Sequence, residues 1–262
     1  MLIAGCLLQG TTKSLCIDNS LERARIHYID IPMTKKLSVI MPAYNESDTV
    51  LEVIRQIKAV PLSIDREIII VDDGSSDGTV ALLQSLNDSN VKVFLHETNR
   101  GKGMAIRTAL AHATGDIVII QDADLEYDPQ DYIPLLEPLL QGKASVVYGN
   151  RRGRQKMEKS YARYYWGGRL ITAITNLLYR ARIHDEPVCY KVFTREVLEK
   201  IELACEKFEF CPEITAKVCK AGHIIYEVPV SYNPRGFQQG KKINWKDGIQ
   251  AIWTLVKYRF CK

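Results

Sequence analysis

The chain has 262 residues, 46% hydrophobic and 25% charged, with a net charge of +4. This profile excludes a disordered, collagen-like or low-complexity chain and leaves room for one large domain or two small ones. Seven cysteines, an odd number with no C-x-x-C pair, make neither a zinc site nor a disulfide framework, which fits a reducing cytoplasm.

Residues 1–35 carry little hydrophobic pattern and are read as an N-terminal extension, with Met33 as an alternative start. Ile3-Ala4-Gly5-Cys6 matches a lipoprotein cleavage box only superficially, because neither a basic segment nor a long apolar stretch precedes it. From Lys36 the order becomes regular. Leu37–Met41 is a short β-rich run stopped by Pro42, and a helix follows, with Thr49 and Glu52 at capping-box spacing and Val50, Leu51, Ile54, Ile57 and Val60 at helical spacing. Glu67–Val71 reads as a buried strand ending in Asp72-Asp73-Gly74, and Asp77 can cap a second helix. Val91–Leu95 is a third strand, Gly103–Ala113 a helix, and Ile117–Ile120 a fourth strand running into Asp122-Ala123-Asp124. Strands that are apolar throughout and alternate with helices predict an α/β fold, a single Rossmann-like, mostly parallel sheet flanked by helices.

Ligands bind at the carboxyl ends of the strands in such sheets. Tyr44, Asn45 and Glu46, then Asp72 and Asp73, then Asp122 and Asp124 all fall there. Two aspartates straddling a small residue suit Mg²⁺ or Mn²⁺, which prefer carboxylate oxygen and often bind through one or two carboxylates plus substrate phosphates. Glu126 is a further candidate ligand, and Ala123 leaves room beside the backbone. Asp73 suits a nucleobase or ribose, and Tyr44 can stack on a base. No G-x-G-x-x-G follows the first strand, which argues against an NAD or FAD enzyme. Asn99-Arg100-Gly101-Lys102-Gly103 precedes a helix and is read equally as a turn or as a phosphate contact.

The second half is more basic and less regular. Residues 160–180 look helical, Ile224–Val230 is a strand, and Ile249, Ile252, Trp253 and Val256 form the stripe of an amphipathic C-terminal helix. The arginines and lysines of this half suit phosphate, and no nucleic-acid module accompanies them. The five histidines lack metal-pair spacing and are read as structural. No run approaches the ~20 apolar residues that span a bilayer.

Ser38–Glu46, Val71–Thr79, Asn99–Gly103 and Gln121–Glu126 together resemble a family 2 glycosyltransferase of GT-A fold over about residues 36–243. Within that family the chain is most similar to polyprenyl- or dolichyl-phosphate sugar synthases of the dolichol-phosphate mannosyltransferase type. Tyr148-Gly149-Asn150-Arg151 resembles their G-S-R segment, and Val228–Tyr232 with Arg235 and Lys242 resembles the stretch that meets the lipid phosphate. Relatives often read D-P-x-S-G-F where this chain has Asp185–Tyr190.

The resemblance implies that Pro42, Ala43, Tyr44, Glu46, Val71 and Asp73 line the nucleoside pocket and that Asp122, Ala123 and Asp124 meet the diphosphate. Asp122, Asp124 and Glu126 would hold Mg²⁺ or Mn²⁺. Arg151, Arg235 and Lys241 or Lys242 would handle phosphates of donor and acceptor, with Asp122, Asp124 and Arg151 the catalytic set. The implied reaction is inverting transfer from a GDP- or UDP-sugar to a polyprenyl phosphate, at the cytoplasmic face of a membrane. An acceptor hydroxyl would instead need a general base, for which Glu213 and Asp185 are the candidates. The expected layout is an extension over 1–35, a catalytic domain over 36–240 and a basic C-terminal helix over 241–262. A phosphohydrolase with a nucleophilic Asp122 is disfavoured, because Glu126 stands where such enzymes carry Thr or Val. A non-catalytic nucleotide-sugar binder is the remaining alternative.

Overall fold

The computed structural model describes residues 35–153, 162–235 and 245–261, together with the strand backbone at 7–8, 11–14 and 29–30. Two units are distinguished, Met1–Lys35 and Lys36–Lys262. In the first, expected to be without pattern, β1 (Leu7–Leu8), β2 (Thr11–Ser14) and β3 (Ile29–Asp30) pair in antiparallel order β1-β2-β3.

The second unit is built on a seven-stranded sheet. Its members are β4 (Lys36–Ala43), β5 (Asp65–Asp72), β6 (Val91–Leu95), β7 (Ile117–Ile120), β8 (Val146–Asn150), β9 (Lys191–Thr194) and β10 (Ile225–Pro229), in the order β10-β8-β9-β7-β4-β5-β6. All neighbours are parallel except β9, which runs antiparallel to both β7 and β8. Leu37, Val39, Ile40, Met41, Ile68–Val71 and Ile117–Ile120 are all but inaccessible to solvent, as expected of strands covered on both faces. Pro42 fits inside β4 because the Gln121 amide bonds the Ile40 carbonyl as β7 ends. Two residues on, the same side of β4 has no further β7 partner in need of a donor.

The helices are α1 (Val50–Ala59), α2 (Thr79–Gln84), α3 (Lys102–His112), α4 (Tyr132–Leu140), α5 (Ala162–Tyr179), α6 (Arg195–Glu199), α7 (Phe210–Lys220) and α8 (Trp245–Phe260). The predicted capping box of α1 does not form. The Thr49 hydroxyl turns instead to the Ala123 carbonyl at 2.9 Å, and Glu52 pairs with Arg55.

Topology places the loops that matter. β4 sends the chain to β5 on one side and is joined by β7 on the other, so a crevice opens at their carboxyl ends. The segments after β8 and β10 reach the same edge, because those strands are parallel to β7's direction. The reversal of β9 brings its leading segment, Asp185–Tyr190, there as well. No sequence pattern marks β9, and its reversal decides which second-half residues meet the Asp122 turn.

Candidate functional site

The Asp122 turn is held from several directions. Buried Gln121 accepts the phenol protons of Tyr132 at 2.7 Å and Tyr190 at 2.9 Å and donates to the Asp122 carbonyl. Thr49 donates to the Ala123 carbonyl at 2.9 Å. The two carboxylates therefore project from a turn with little freedom, the property a preorganised charged site needs.

Charge is concentrated there. Lys102 Nζ lies 2.5 Å from Asp122 Oδ1, and Arg235 reaches Glu46 Oε2 at 2.7 Å and Asp124 Oδ2 at 3.8 Å. Burial, then Asp122 and Glu126, push the Asp124 carboxyl up to about 7, with Arg235 pulling against them. Burial alone would lower the Lys102 ammonium, but Asp122 outweighs it and the net shift is upward. Three crowded acids with two cations leaning in are the electrostatics of a place that lacks positive charge.

The donor set fits a hard cation only in part. Asp122 and Asp124 offer oxygen ligands from one turn, enough for Mg²⁺ or Mn²⁺ that takes its other ligands from a diphosphate and water. The Glu126 carboxylate accepts the Arg235 amide at 2.8 Å and the Tyr232 hydroxyl at 3.1 Å, so it clasps the segment after β10. Among the described residues no three His, Cys, Asp or Glu side chains converge as a cation site.

The expected nucleoside residues divide in two. Tyr44, Glu46, Asp122 and Asp124 are partly exposed at the edge. Pro42, Ala43, Val71, Asp73 and Ala123 are buried and form the floor rather than the lining. Asp73, expected to face a base, accepts from the Arg100 amide at 3.0 Å and the Gly101 amide at 2.7 Å and lies 2.7 Å from His96 Nδ1. The Tyr44–Glu46 turn is tied to the loop after β5. Asn45, at φ 50, accepts the Ser76 amide through its side chain and donates its own amide to Ser75.

The two readings of Asn99–Gly103 also resolve. The Gly103 and Met104 amides donate to the carbonyls of Lys207 and Glu206, so the backbone at the start of α3 is spent within the fold. The Lys102 side chain reaches the site. Gly101 sits at φ 95, and a β-carbon there would be driven into the Glu206 carbonyl. Gly101→Ala is expected to displace Lys102 from Asp122 and to quicken amide exchange at Gly103 and Met104, read by hydrogen exchange.

Arg151 follows β8 and grips Asp185 with two parallel bonds of 2.7 Å, while its guanidinium lies 5.0 Å from the Tyr232 ring centre. Burial opposes both charges, yet Asp185 holds the guanidinium well above its usual range and Arg151 holds the Asp185 carboxyl below its own. Both Asp185 oxygens are engaged by the Arg151 guanidinium. Glu213 is inaccessible and accepts the Ala204 and Cys205 amides, the Lys217 ammonium and the Tyr258 phenol. Arg235, expected at the acceptor, stands beside Asp124, and Lys242 and Lys241 lie outside the described residues. From sequence Thr49 reads only as a helix cap and Tyr232 only as part of the 228–232 stretch. The only signal for Lys102 was its place between two glycines.

A family model for glycosyl transferase family 2 matches residues 38–202, from the first core strand past Asp185. The chain belongs to that family. The transferase is 30% identical over 232 residues to the undecaprenyl-phosphate 4-deoxy-4-formamido-L-arabinose transferase of Klebsiella pneumoniae (strain 342), covering 86% of this chain and 68% of that one. Identity to the enzyme of the same name from Sodalis glossinidius (strain morsitans) is 29% over 211 residues, covering 79% and 62%. The chain thus spans about two thirds of the length of these relatives. Among solved structures, glucosyl-3-phosphoglycerate synthase from Mycobacterium tuberculosis, in complex with Mn²⁺, uridine diphosphate and phosphoglyceric acid, superposes with a TM-score of 0.65 at 22% identity, covering 87% of this chain and 80% of that one. The sheet, its flanking helices and this likeness make the fold GT-A.

Proposed function

We propose that the transferase moves a sugar from a nucleotide-sugar to a polyprenyl phosphate with inversion at C1, with Mg²⁺ or Mn²⁺ held by Asp122 and Asp124. The observation that carries this reading is the rigid Asp122-Ala123-Asp124 turn, set between Lys102 and Arg235 at the sheet's switch point. A bound cation would screen charge on the diphosphate. Lys102 and Arg235 would turn from their carboxylates toward the phosphates and stabilise the negative charge that grows as the C1–oxygen bond breaks. Tyr44 and Glu46 would border the nucleoside over the floor of Pro42, Ala43, Val71 and Asp73.

The acceptor assignment draws support from three sides. The similar proteins are named as undecaprenyl-phosphate transferases. Both candidate bases are committed to structural bonds, and a phosphate oxyanion attacks C1 without one, whereas a sugar hydroxyl would need its proton removed. Beside Arg151 a cavity of about 400 Å³ is lined by Arg152, Arg169 and His184 together with Ala173 and Ile183, a mixture suited to an anion with an apolar tail. The test is a screen of GDP- and UDP-sugars against a short polyprenyl phosphate with Mn²⁺ or Mg²⁺, read by extraction of labelled lipid. Transfer to soluble sugars but to no lipid phosphate would overturn the acceptor assignment.

Such an acceptor resides in a bilayer, and one face of the protein suits that place. Helices α5 and α8 pack on each other, the Tyr179 phenol donating to the Leu255 carbonyl at 2.6 Å, while Trp166, Leu170, Leu177, Ile249, Trp253 and Phe260 are exposed. The predicted stripe on α8 is thus its outer face in large part. Lys257, Arg259 and Arg169 flank these ridges, the pairing of aromatic and basic groups that favours a headgroup layer. No helix among the described residues is long and apolar enough to cross a membrane. The protein is expected to float with vesicles containing anionic lipid, and the paired substitution Trp166→Glu with Trp253→Glu to cut the floating fraction about tenfold or more.

A further inference from the structure

Glu213 is a junction between the last helix and the donor edge. Its Oε1 accepts the Ala204 amide at 2.8 Å and the Tyr258 phenol at 2.8 Å, and its Oε2 accepts the Cys205 amide at 2.6 Å. The segment that begins with these amides continues to Glu206 and Lys207, whose carbonyls take the Met104 and Gly103 amides at 2.9 and 3.1 Å. Contact there is backbone on backbone. A β-carbon at Gly103 would lie 2.8 Å from the Lys207 carbonyl, and one at Gly101 would strike that of Glu206. Lys102 lies between these two glycines and sets its ammonium 2.5 Å from Asp122. At the other end Tyr258 belongs to α8, and Lys220 fixes that helix by donating to the carbonyls of Tyr258 and Cys261 at 2.8 Å each.

We propose that Tyr258 is a positioning residue for the donor site: through Glu213 and residues 204–207 it sets the backbone at Gly101–Gly103 and hence where Lys102 stands relative to Asp122. The inference rests on the donor reading above. It differs from a general packing role because every link is a directed bond or a close backbone contact, with little side-chain slack to absorb a displacement. Burial and Glu213 both raise the Tyr258 phenol, so it stays a donor around neutral pH, while the bonds it receives keep Glu213 ionised.

The experiment titrates Mn²⁺ with UDP, and Mn²⁺ with GDP, into the full chain and into Tyr258→Phe, which removes one hydroxyl. The expected result is about fivefold weaker binding of whichever nucleotide the wild type takes. Amide hydrogen exchange at Gly103 and Met104 should quicken, with the melting temperature within a few degrees of wild type. In a Lys102→Met background the same substitution should cost little, since the group it positions is gone. Wild-type affinity with unchanged exchange at those two amides would overturn the proposal, and so would a fivefold penalty that persists without Lys102. Should the wild type bind neither nucleotide, the donor reading falls, and exchange at Gly103 and Met104 still decides whether Tyr258 holds this loop.

Discussion

Replacing Asp124 with Ala is expected to reduce sugar transfer at least about a thousandfold, while the protein without metal stays folded and does not lose stability above neutral pH. The first half follows from the proposed chemistry: a cation and two carboxylates would act where charge develops on the diphosphate, the position at which electrostatic groups matter most. The second half follows from the titration of this group. In the folded state the Asp124 carboxyl is pushed up to about 7 by burial, Asp122 and Glu126, above its ordinary 3.8. The folded state therefore binds more protons than the unfolded one between those values, and its stability falls as pH rises through that window. Above about 7 the full penalty is present in wild type and absent from the substituted protein. Melting temperatures at pH 5 and pH 8, with and without Mn²⁺, read this directly. Added Mn²⁺ should raise the wild-type melting temperature more at pH 8 than at pH 5, and should do little for Asp124→Ala. Undiminished transfer by that variant would end the metal assignment.

The second large effect is expected at Asp185. Asp185→Asn should lower the melting temperature by about 10 °C and abolish transfer. Asp185 is 1% exposed and holds the Arg151 guanidinium through two bonds of 2.7 Å. Removing one charge of a buried pair leaves the other uncompensated and costs about 3–5 kcal/mol. A chain of this size loses roughly 2–4 °C per kcal/mol. The paired state depresses the Asp185 carboxyl, so its contribution is complete above the ordinary carboxylate range near pH 4 and is lost as the solution is acidified below it. Arg151 also leans on Tyr232, whose hydroxyl meets Glu126, so disorder at Arg151 should spread to the segment that carries Arg235. A melting temperature within about 3 °C of wild type would show that the pair is not the anchor described here.

Much of this site was legible in the sequence. The apolar strands at 37–41, 68–71 and 117–120 announced a covered parallel sheet. Once that is granted, Tyr44, Glu46, Asp122 and Asp124 must share its carboxyl edge, because each follows a strand directly. The partners of the site's acids and the direction of one strand were not legible. Whether a polar side chain faces a ligand or its own protein depends on partners far away in sequence. Asp73 and Glu126 look like ligand groups in their motifs, yet Asp73 is taken by the amides of Arg100 and Gly101 and Glu126 by Tyr232 and Arg235. Asp185 and Glu213 read from sequence as unremarkable acids or candidate bases, and the partners that engage them, Arg151 for the first and Tyr258 for the second, come from other elements. The reversed strand β9, four residues long, has no periodicity of its own to betray its direction, and it is what carries Asp185 to Arg151. The sequence by itself therefore determined the sheet, its edge and the carboxylate pair, since local pattern and chain order suffice for these. Only the tertiary structure decided which charges are spent inside the protein and which stand at the edge, since that depends on which distant donors fold against each carboxylate.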